Sequence, residues 1–328
     1  MIRVVLLAFV FAGSFLGVSH AQGIPNSTEP LTLSVSPEYP RPYQTVTVSP
    51  RSSLLDLSAS TVRISVNGTT VYEGSGTQAT SVRAGGLGER TTITVSVTDP
   101  SGRVYTKQQV LRPAEVSLVL EPASTMHPFY QGGGLVASEG RVRLVALADL
   151  RSAPGTRLPS SSLVYTWRLG SRVLTDMSGI GKSTLLATAP VRYRNADISV
   201  TVTSPDNTLV GEARTLVSAV DPVARIYRND PLLGPNFDVA LTDRFSMPDT
   251  ETTFRAVGYF FAVPPTFSWT VNKATNGTDK DITVRATGNG QGTARIGLTA
   301  TEVAARRSAD TAVTVDFGRS TGFGFFGL

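Results

Sequence analysis

The chain has 328 residues, 41% of them hydrophobic and 17% charged, with a formal net charge of +5, no cysteine and two histidines. Those values exclude a disulfide framework and a zinc site built on several His or Cys ligands, and they leave a Ser–His hydrolase almost nothing to work with. The length suits two or three domains.

The first segment reads as a secretory signal peptide over residues 1–21. Arg3 is a short basic region, Val4 to Val18 are apolar, and Ser19-His20-Ala21 places small residues at a cleavage site. The apolar run of about 15 residues falls short of the roughly 20 that span a bilayer, so cleavage is expected rather than anchoring. No Cys follows that could be lipidated, and no later segment is long and apolar enough to cross a membrane. The mature chain is therefore expected to be exported, to the periplasm, the cell surface or the medium. Residues 22–30 form a polar linker.

A first domain is expected over residues 31–113. Leu31 to Val35 and Gln44 to Ser49 are its opening strands. Ile64 and Val66 then alternate with polar residues into Asn67-Gly68, a strong hairpin signal, with Thr70-Val-Tyr72 returning. Ile93, Val95 and Val97 share one face of a half-buried strand. The turn Asp99-Pro-Ser-Gly102 leads to a closing strand from Val104 to Leu111. A second domain, 114–219, repeats the order: Val116 to Leu120, Val142 to Leu147, a strand around Trp167, a Gly170-Ser171 turn, and Ile198 to Thr203 before Ser204-Pro-Asp-Asn207. A third, 220–317, runs through Val223 to Ile226, Thr253 to Val257, a strand around Trp269, Ala294 to Thr301 and Thr311 to Phe317. Residues 56–61 and 301–309 are the places where a single turn or short helix is expected.

The repeat is about 100 residues long. Trp167 aligns with Trp269 and, one period back, with Ile64; Ile93, Ile198 and Ile296 give a second landmark. A period of that length filled with short alternating strands is the size of one β-sandwich. Trp167, Trp269 and Ile64 are expected in the cores. Only Lys107, Lys182, Lys273 and Lys280 are lysines; the other cationic residues are arginines scattered singly. Arg141 with Arg143, and Arg192 with Arg194, are each expected on one face of a strand, as solvated residues that discourage edge pairing. Clustering with interleaved aromatics, which a nucleic-acid site needs, is missing, so no nucleic-acid partner is expected.

Gly179-Ile-Gly181-Lys182-Ser183-Thr184 has the ending of a phosphate-binding loop, but Asp176 stands where the motif needs its first glycine. By the repeat, Gly179 and Gly181 correspond to Gly74 and Gly76 of the first domain, which makes this an ordinary sandwich loop. Asp279, Asp281, Asp206 and Asn207 lack the spacing of a dedicated calcium loop. No catalytic, metal or cofactor residue is assigned, and no cofactor is expected. The loop from Met126 to Leu135 gathers His127, Phe129, Tyr130 and three glycines, and is the best internal candidate for a partner-binding surface. Its other reading is a crossover in which Phe129 fills the core. The tail over residues 318–328 carries Phe323, Phe325 and Phe326 among glycines, and exposed aromatics there can dock on a partner, a sheet edge or a membrane interface.

The leader, the cysteine-free repeats around Trp-x-Val/Leu, and the Gly-rich run Gly288 to Thr301 resemble exported bacterial proteins built from tandem Ig-like sandwiches of the polycystic-kidney-disease-like or bacterial Ig-like kind. That resemblance implies an all-β chain of three tandem Ig-like antiparallel sandwiches. It also implies a non-enzymatic role as an envelope or surface scaffold or adhesin, held to an envelope protein or surface glycan. The alternative is a carbohydrate- or peptidoglycan-binding module that uses exposed loop aromatics.

Overall fold

The structure, a computed structural model, describes residues 29–318 except 77, 288 and 289. The expected signal peptide, most of the linker, and Phe323, Phe325 and Phe326 of the tail lie outside the described residues. No helix among the described residues is long and apolar enough to cross a membrane.

The fold is all-β, built from antiparallel sheets paired face to face. Its first part comprises β1 (Thr32–Ser36), β2 (Thr45–Arg51), β3 (Thr61–Val66), β4 (Thr69–Ser75), β5 (Thr80–Arg83), β6 (Thr91–Thr98) and β7 (Val104–Leu111). Sheet β1-β2-β5 closes over sheet β4-β3-β6-β7, burying Val46, Val48, Val62, Ile64, Ile93, Val95 and Val97 between them.

The second part comprises β8 (Glu115–Ala123), β9 (Arg141–Asp149), β10 (Arg151–Ala153), β11 (Thr156–Arg157), β12 (Val164–Leu169), β13 (Arg172–Val173), β14 (Gly179–Ile180), β15 (Thr184–Thr188), β16 (Asn195–Thr203) and β17 (Val210–Ser218). Sheet β15-β9-β8 faces β13-β12-β16-β17, and β10 and β11 form a small separate hairpin. Tyr165, Trp167, Leu144, Leu150, Leu163 and Leu185 fill this core.

The third part comprises β18 (Val223–Asp230), β19 (Gly234–Pro235), β20 (Arg244–Ser246), β21 (Glu251–Tyr259), β22 (Thr266–Val271), β23 (Ala274–Gly277), β24 (Asp281–Arg285), β25 (Gly292–Glu302) and β26 (Arg307–Phe317). Sheet β19-β18-β21-β24 faces β20-β26-β25-β22-β23 around Trp269, Phe254, Phe261 and Ile226. The strand order, with each opening sheet returning to a facing four- or five-stranded sheet, is that of Ig-like sandwiches.

The repeat read from sequence is a repeat of register. Ile64 lies opposite Val95, Trp167 opposite Val200 and Trp269 opposite Leu298, and all six are buried. Each such side chain contributes about 1.5–3 kcal/mol by leaving water. The two indoles also share a polar anchor: Nε1 of Trp167 donates to the carbonyl of Lys182 at 2.9 Å, and Nε1 of Trp269 to that of Asp279 at 2.8 Å. A buried N–H without such a partner would cost most of what the ring gains.

The central hairpins match as well. Asn67 and Gly68 take φ of 50° and 86°, and Asn272 and Lys273 take 50° and 73°, the left-handed pair that a two-residue hairpin turn requires. Both asparagines are held in that conformation from the side. Oδ1 of Asn67 accepts from the Thr92 N–H at 2.8 Å, and Oδ1 of Asn272 from the Arg295 N–H at 2.9 Å. Lys273 tolerates its positive φ because this clamp and the flanking pairs fix the turn around it.

One expectation is corrected. Arg192, Tyr193 and Arg194 do not lie on a strand: they form a turn after Pro190, closed by the Arg194 N–H on the Val191 carbonyl, with Tyr193 at φ 61° and fully out in solvent. Proline cannot donate to a ladder and interrupts the run there. Residues 56–61 and 301–309 take the first of their two expected forms, a turn, at 57–58 and 303–306. In the third part, residues 231–246 switch sheets, with β20 joining β26 in parallel; no alternation announces so short a strand.

The Gly179–Thr184 loop has no phosphate-binding form. Gly179 pairs with Tyr165 as Gly74 pairs with Val62, and Lys182 Nζ donates back to the Asp176 carbonyl at 2.6 Å. The aspartates weighed for calcium are also engaged. Arg255 holds Asp281, and Ser204 and Thr208 hold Asp206, whose carboxyl is lowered to about 2, mainly by the Ser204 hydroxyl.

Candidate functional site at the junction of the second and third sandwiches

Leaving β8, the chain reaches over onto the third sandwich. Thr125 makes a short two-way backbone pairing there: its N–H donates to the Phe261 carbonyl at 2.9 Å and its carbonyl accepts from the Phe260 N–H at 2.8 Å. Its hydroxyl accepts from the Phe261 N–H at 3.0 Å. Phe260 takes φ 59° to make this possible.

The loop that follows lies on the outer face of β18 and β21. In each strand the inner residues, such as Ala224, Ile226 and Phe254, belong to the core, while Tyr227, Val257 and Tyr259 point outward into a second, smaller apolar cluster. That cluster exists because the loop covers it. His127 is the keystone: its ring stacks on Phe237 at 4.3 Å and 8°, and stands edge-on to Tyr259 at 5.7 Å, Tyr130 at 5.9 Å and Tyr227 at 6.2 Å. Its Nδ1 accepts from the Phe129 N–H at 3.1 Å, which leaves Nε2 to carry the ring's hydrogen. Burial pushes the imidazolium below its ordinary range, so the ring is neutral at pH 7.

The Tyr227 and Tyr259 hydroxyls meet at 2.7 Å. Burial, and then this hydrogen bond, push the Tyr259 phenol far above its usual range. Tyr130 folds back over Gly132, where a Cβ would sit 2.5 Å from the ring. A side chain at that position would displace the Tyr130 ring from where it packs.

Arg307, from the start of β26, closes the other side of the junction. Its guanidinium donates to the Ser138 carbonyl and pairs with Glu139. Val220 donates to the Val136 carbonyl at 2.9 Å, and Arg192 pairs with Asp221 at 2.8 Å.

Between loop and sheet lies a cleft of about 550 Å³ whose lining includes Phe129, Gln131, Arg225, Tyr227, Asp238 and Tyr259. Its chemistry is mixed, with aromatic walls and an amide, a guanidinium and a carboxylate among them. Its aromatic walls offer stacking, and Gln131, Arg225 and Asp238 offer hydrogen-bonding groups. No group of three or more His, Cys, Asp or Glu residues suited to a metal occurs among the described residues.

Of the predicted site residues, His127 and Tyr130 pack against the third sandwich and also belong to the lining of the cleft. Phe129 does not fill the core; it is 74% exposed at the rim of the cleft, 6.3 Å from Phe237. Arg225, Tyr227, Phe237 and Asp238 were not anticipated. The available signal was Arg225 and Tyr227 sharing one face of β18 opposite the apolar Ala224 and Ile226, an aromatic on a face that alternation assigns to solvent.

No protein-family model and no curated protein matches the chain. Among solved structures, Sidekick-1 immunoglobulin domains 1–5 align at 8% identity and a TM-score of 0.30, over 88% of this chain and 60% of that one. The chain thus spans less than two thirds of that structure. The three N-terminal domains of the bacteriophage RB49 highly immunogenic outer capsid protein align at 12% identity and a TM-score of 0.25, over 87% and 97%. The Bacteroides ovatus mixed-linkage glucan utilization protein SGBP-B, in complex with a mixed-linkage heptasaccharide, aligns at 13% identity and a TM-score of 0.20, over 87% and 70%. The Ig-like assignment made above rests on strand order and register, and these matches assign no role.

Proposed function

We propose that the chain is an exported, non-enzymatic scaffold of the cell envelope or surface. In this reading a signal peptide over residues 1–21 is removed, a linker over 22–30 follows, and Ig-like units over 31–113, 114–219 and 220–317 present a partner-binding surface. The observation that carries it is the junction around His127. A loop that could have been free is instead committed to holding two sandwiches in one orientation, which is what a display rod requires and what separate modules on a string do not. The test is protease shaving of intact cells followed by blotting of cells, envelope and medium. Cleavage in unbroken cells supports surface display. Recovery of the protein only in the cytosol, with residues 1–21 still attached, would overturn export.

A second reading has its own support. Phe129 stands exposed beside Gln131, Arg225 and Asp238, an aromatic face flanked by hydrogen-bonding groups, which suits a sugar ring. Binding of wild-type protein to a glycan array or to peptidoglycan, lost in Phe129→Ala with an unchanged melting temperature, would support a lectin-like module. Equal binding by both proteins, or by neither, would end that reading.

A further inference from the structure

The three sandwiches differ at one matched edge. In each, the short strand that ends the smaller opening sheet has an unpaired side: β5 in the first, β15 in the second and β24 in the third. Edge strands normally carry a charge that blocks further pairing. β5 presents Ser81 and Arg83 outward, and β24 presents Thr283 and Arg285, the latter paired with Glu251. β15 presents Thr184, Leu186 and Thr188, with no charge, and Leu186 is 62% exposed.

Beside this bare edge the two sheets of the second sandwich gape. A groove of about 880 Å³ runs between β15 and the β12–β13 hairpin, lined mainly by apolar groups that include Leu169, Val173, Met177 and Val191, with Leu186 at its outer rim. Each of these five is itself well exposed. An open backbone edge above an apolar trough is the geometry that accepts an added strand, in which main-chain hydrogen bonds give affinity and alternate side chains fill the trough.

The chain contains a segment of matching pattern. In Gly322-Phe323-Gly324-Phe325-Phe326-Gly327-Leu328, an extended backbone would place Phe323 and Phe325 on one face, and Phe326 and Leu328 on the other. The segment cannot serve its own second sandwich. β26 starts at the junction, where Arg307 holds Ser138 and Glu139, and runs 11 residues away from it, about 36 Å at ~3.3 Å per residue. Gly322 lies within ~18 Å of Phe317 and Leu328 within ~40 Å, at ~3.6 Å per residue, so most of the segment stays short of the junction.

We propose that the C-terminal segment Gly322–Leu328 of one copy adds as a strand to the β15 edge of a second copy. Phe323 and Phe325 enter the groove beside Val173 and Met177, and Phe326 packs outside against Leu186. The contact is heterologous, so it propagates head to tail rather than closing as a two-fold dimer. This goes beyond the scaffold reading and does not depend on the glycan cleft.

The test is sedimentation velocity of the exported protein over a concentration series, with three companions: a chain ending at Gly318, Leu186→Arg, and a labelled peptide of residues 318–328. Wild type is expected to form species that grow beyond dimer with concentration, while the shortened chain and Leu186→Arg stay monomeric with unchanged melting temperatures. The peptide should bind the shortened chain and bind its Leu186→Arg version about tenfold more weakly or worse, a loss of ~1.4 kcal/mol. Wild type that stays monomeric, association that survives removal of the tail, or peptide binding indifferent to Leu186→Arg would each overturn the proposal. Tail-dependent association that ignores Leu186→Arg would direct the tail to another surface.

Discussion

The two junctions between sandwiches are built on different terms. Between the first and second, the contacts are few and polar: the Ala114 N–H on the Pro40 carbonyl at 3.4 Å, Arg112 on the Thr208 hydroxyl at 3.2 Å, and Gly88 against the backbone of Ala153 and Pro154. No buried hydrophobic cluster spans that junction among the described residues; the first core ends at Leu111 and the second begins at Ala114. Between the second and third, a backbone pairing, a set of interlocked aromatic rings and a largely buried arginine cross the boundary. Sandwiches that share no apolar surface move relative to one another by default. The second and third sandwiches are therefore tied by more, and more apolar, contacts than the first and second.

The sharpest way to break this contrast is Tyr259→Ala. It removes a ring that touches His127, Tyr130 and Phe260, and it strips the Tyr227 hydroxyl of its partner. Unfolding of the third sandwich in denaturant should lose about 3 kcal/mol, and protease should gain access near residue 220. A loss below about 1 kcal/mol would mean the cluster is ornamental to stability.

Arg307→Ala comes next, at about 1–3 kcal/mol, because the Ser138 carbonyl loses a charged donor in a half-buried setting. A melting curve with and without the substitution measures it.

Acid gives a third test. The folded-state pKa of His127 is lowered by burial, so its contribution is present above the ordinary value near 6.5 and is lost as pH falls through it. Melting temperature should drop between pH 7 and 5, and His127→Asn should flatten that dependence. A wild-type profile that is level over this range would show that His127 titrates normally.

At the first junction the effects should be small. Gly88→Ala puts a Cβ 2.4 Å from the Ala153 carbonyl carbon at a φ of 82°, so it should change the angle between sandwiches in small-angle scattering and cost about 1–2 kcal/mol in left-handed backbone strain. Arg112→Ala, at an exposed single bond, should cost less still. A loss of several kcal/mol from either would erase the difference between the junctions.

The legible part of this protein was the part with a period. Strand faces alternate and hairpin turns need left-handed residues, so Ile64, Trp167 and Trp269 could be set in register before any contact was known, and Asn67-Gly68 could be placed at a turn. The Asn272-Lys273 turn was harder to see, because lysine gives no turn signal and the asparagine clamp acts across strands. In the candidate loop, composition marked His127, Phe129 and Tyr130 as unusual but could not rank them. Burial chose the histidine and left the phenylalanine outside, the reverse of what hydrophobicity alone suggests. The outer face of β18 is a large aromatic surface only because another sandwich covers it, and no local pattern records that cover.

By itself, then, the sequence determined that the chain is all-β, that Ile64, Trp167 and Trp269 lie in cores and that Asn67-Gly68 turns a hairpin, since these follow from short-range periodicity and backbone sterics. Only the tertiary structure decided that the second junction is built on interlocked rings and the first is not, and that Phe129 faces solvent. Each of these depends on residues far apart in the chain meeting across a surface, and such contact leaves no period in the sequence.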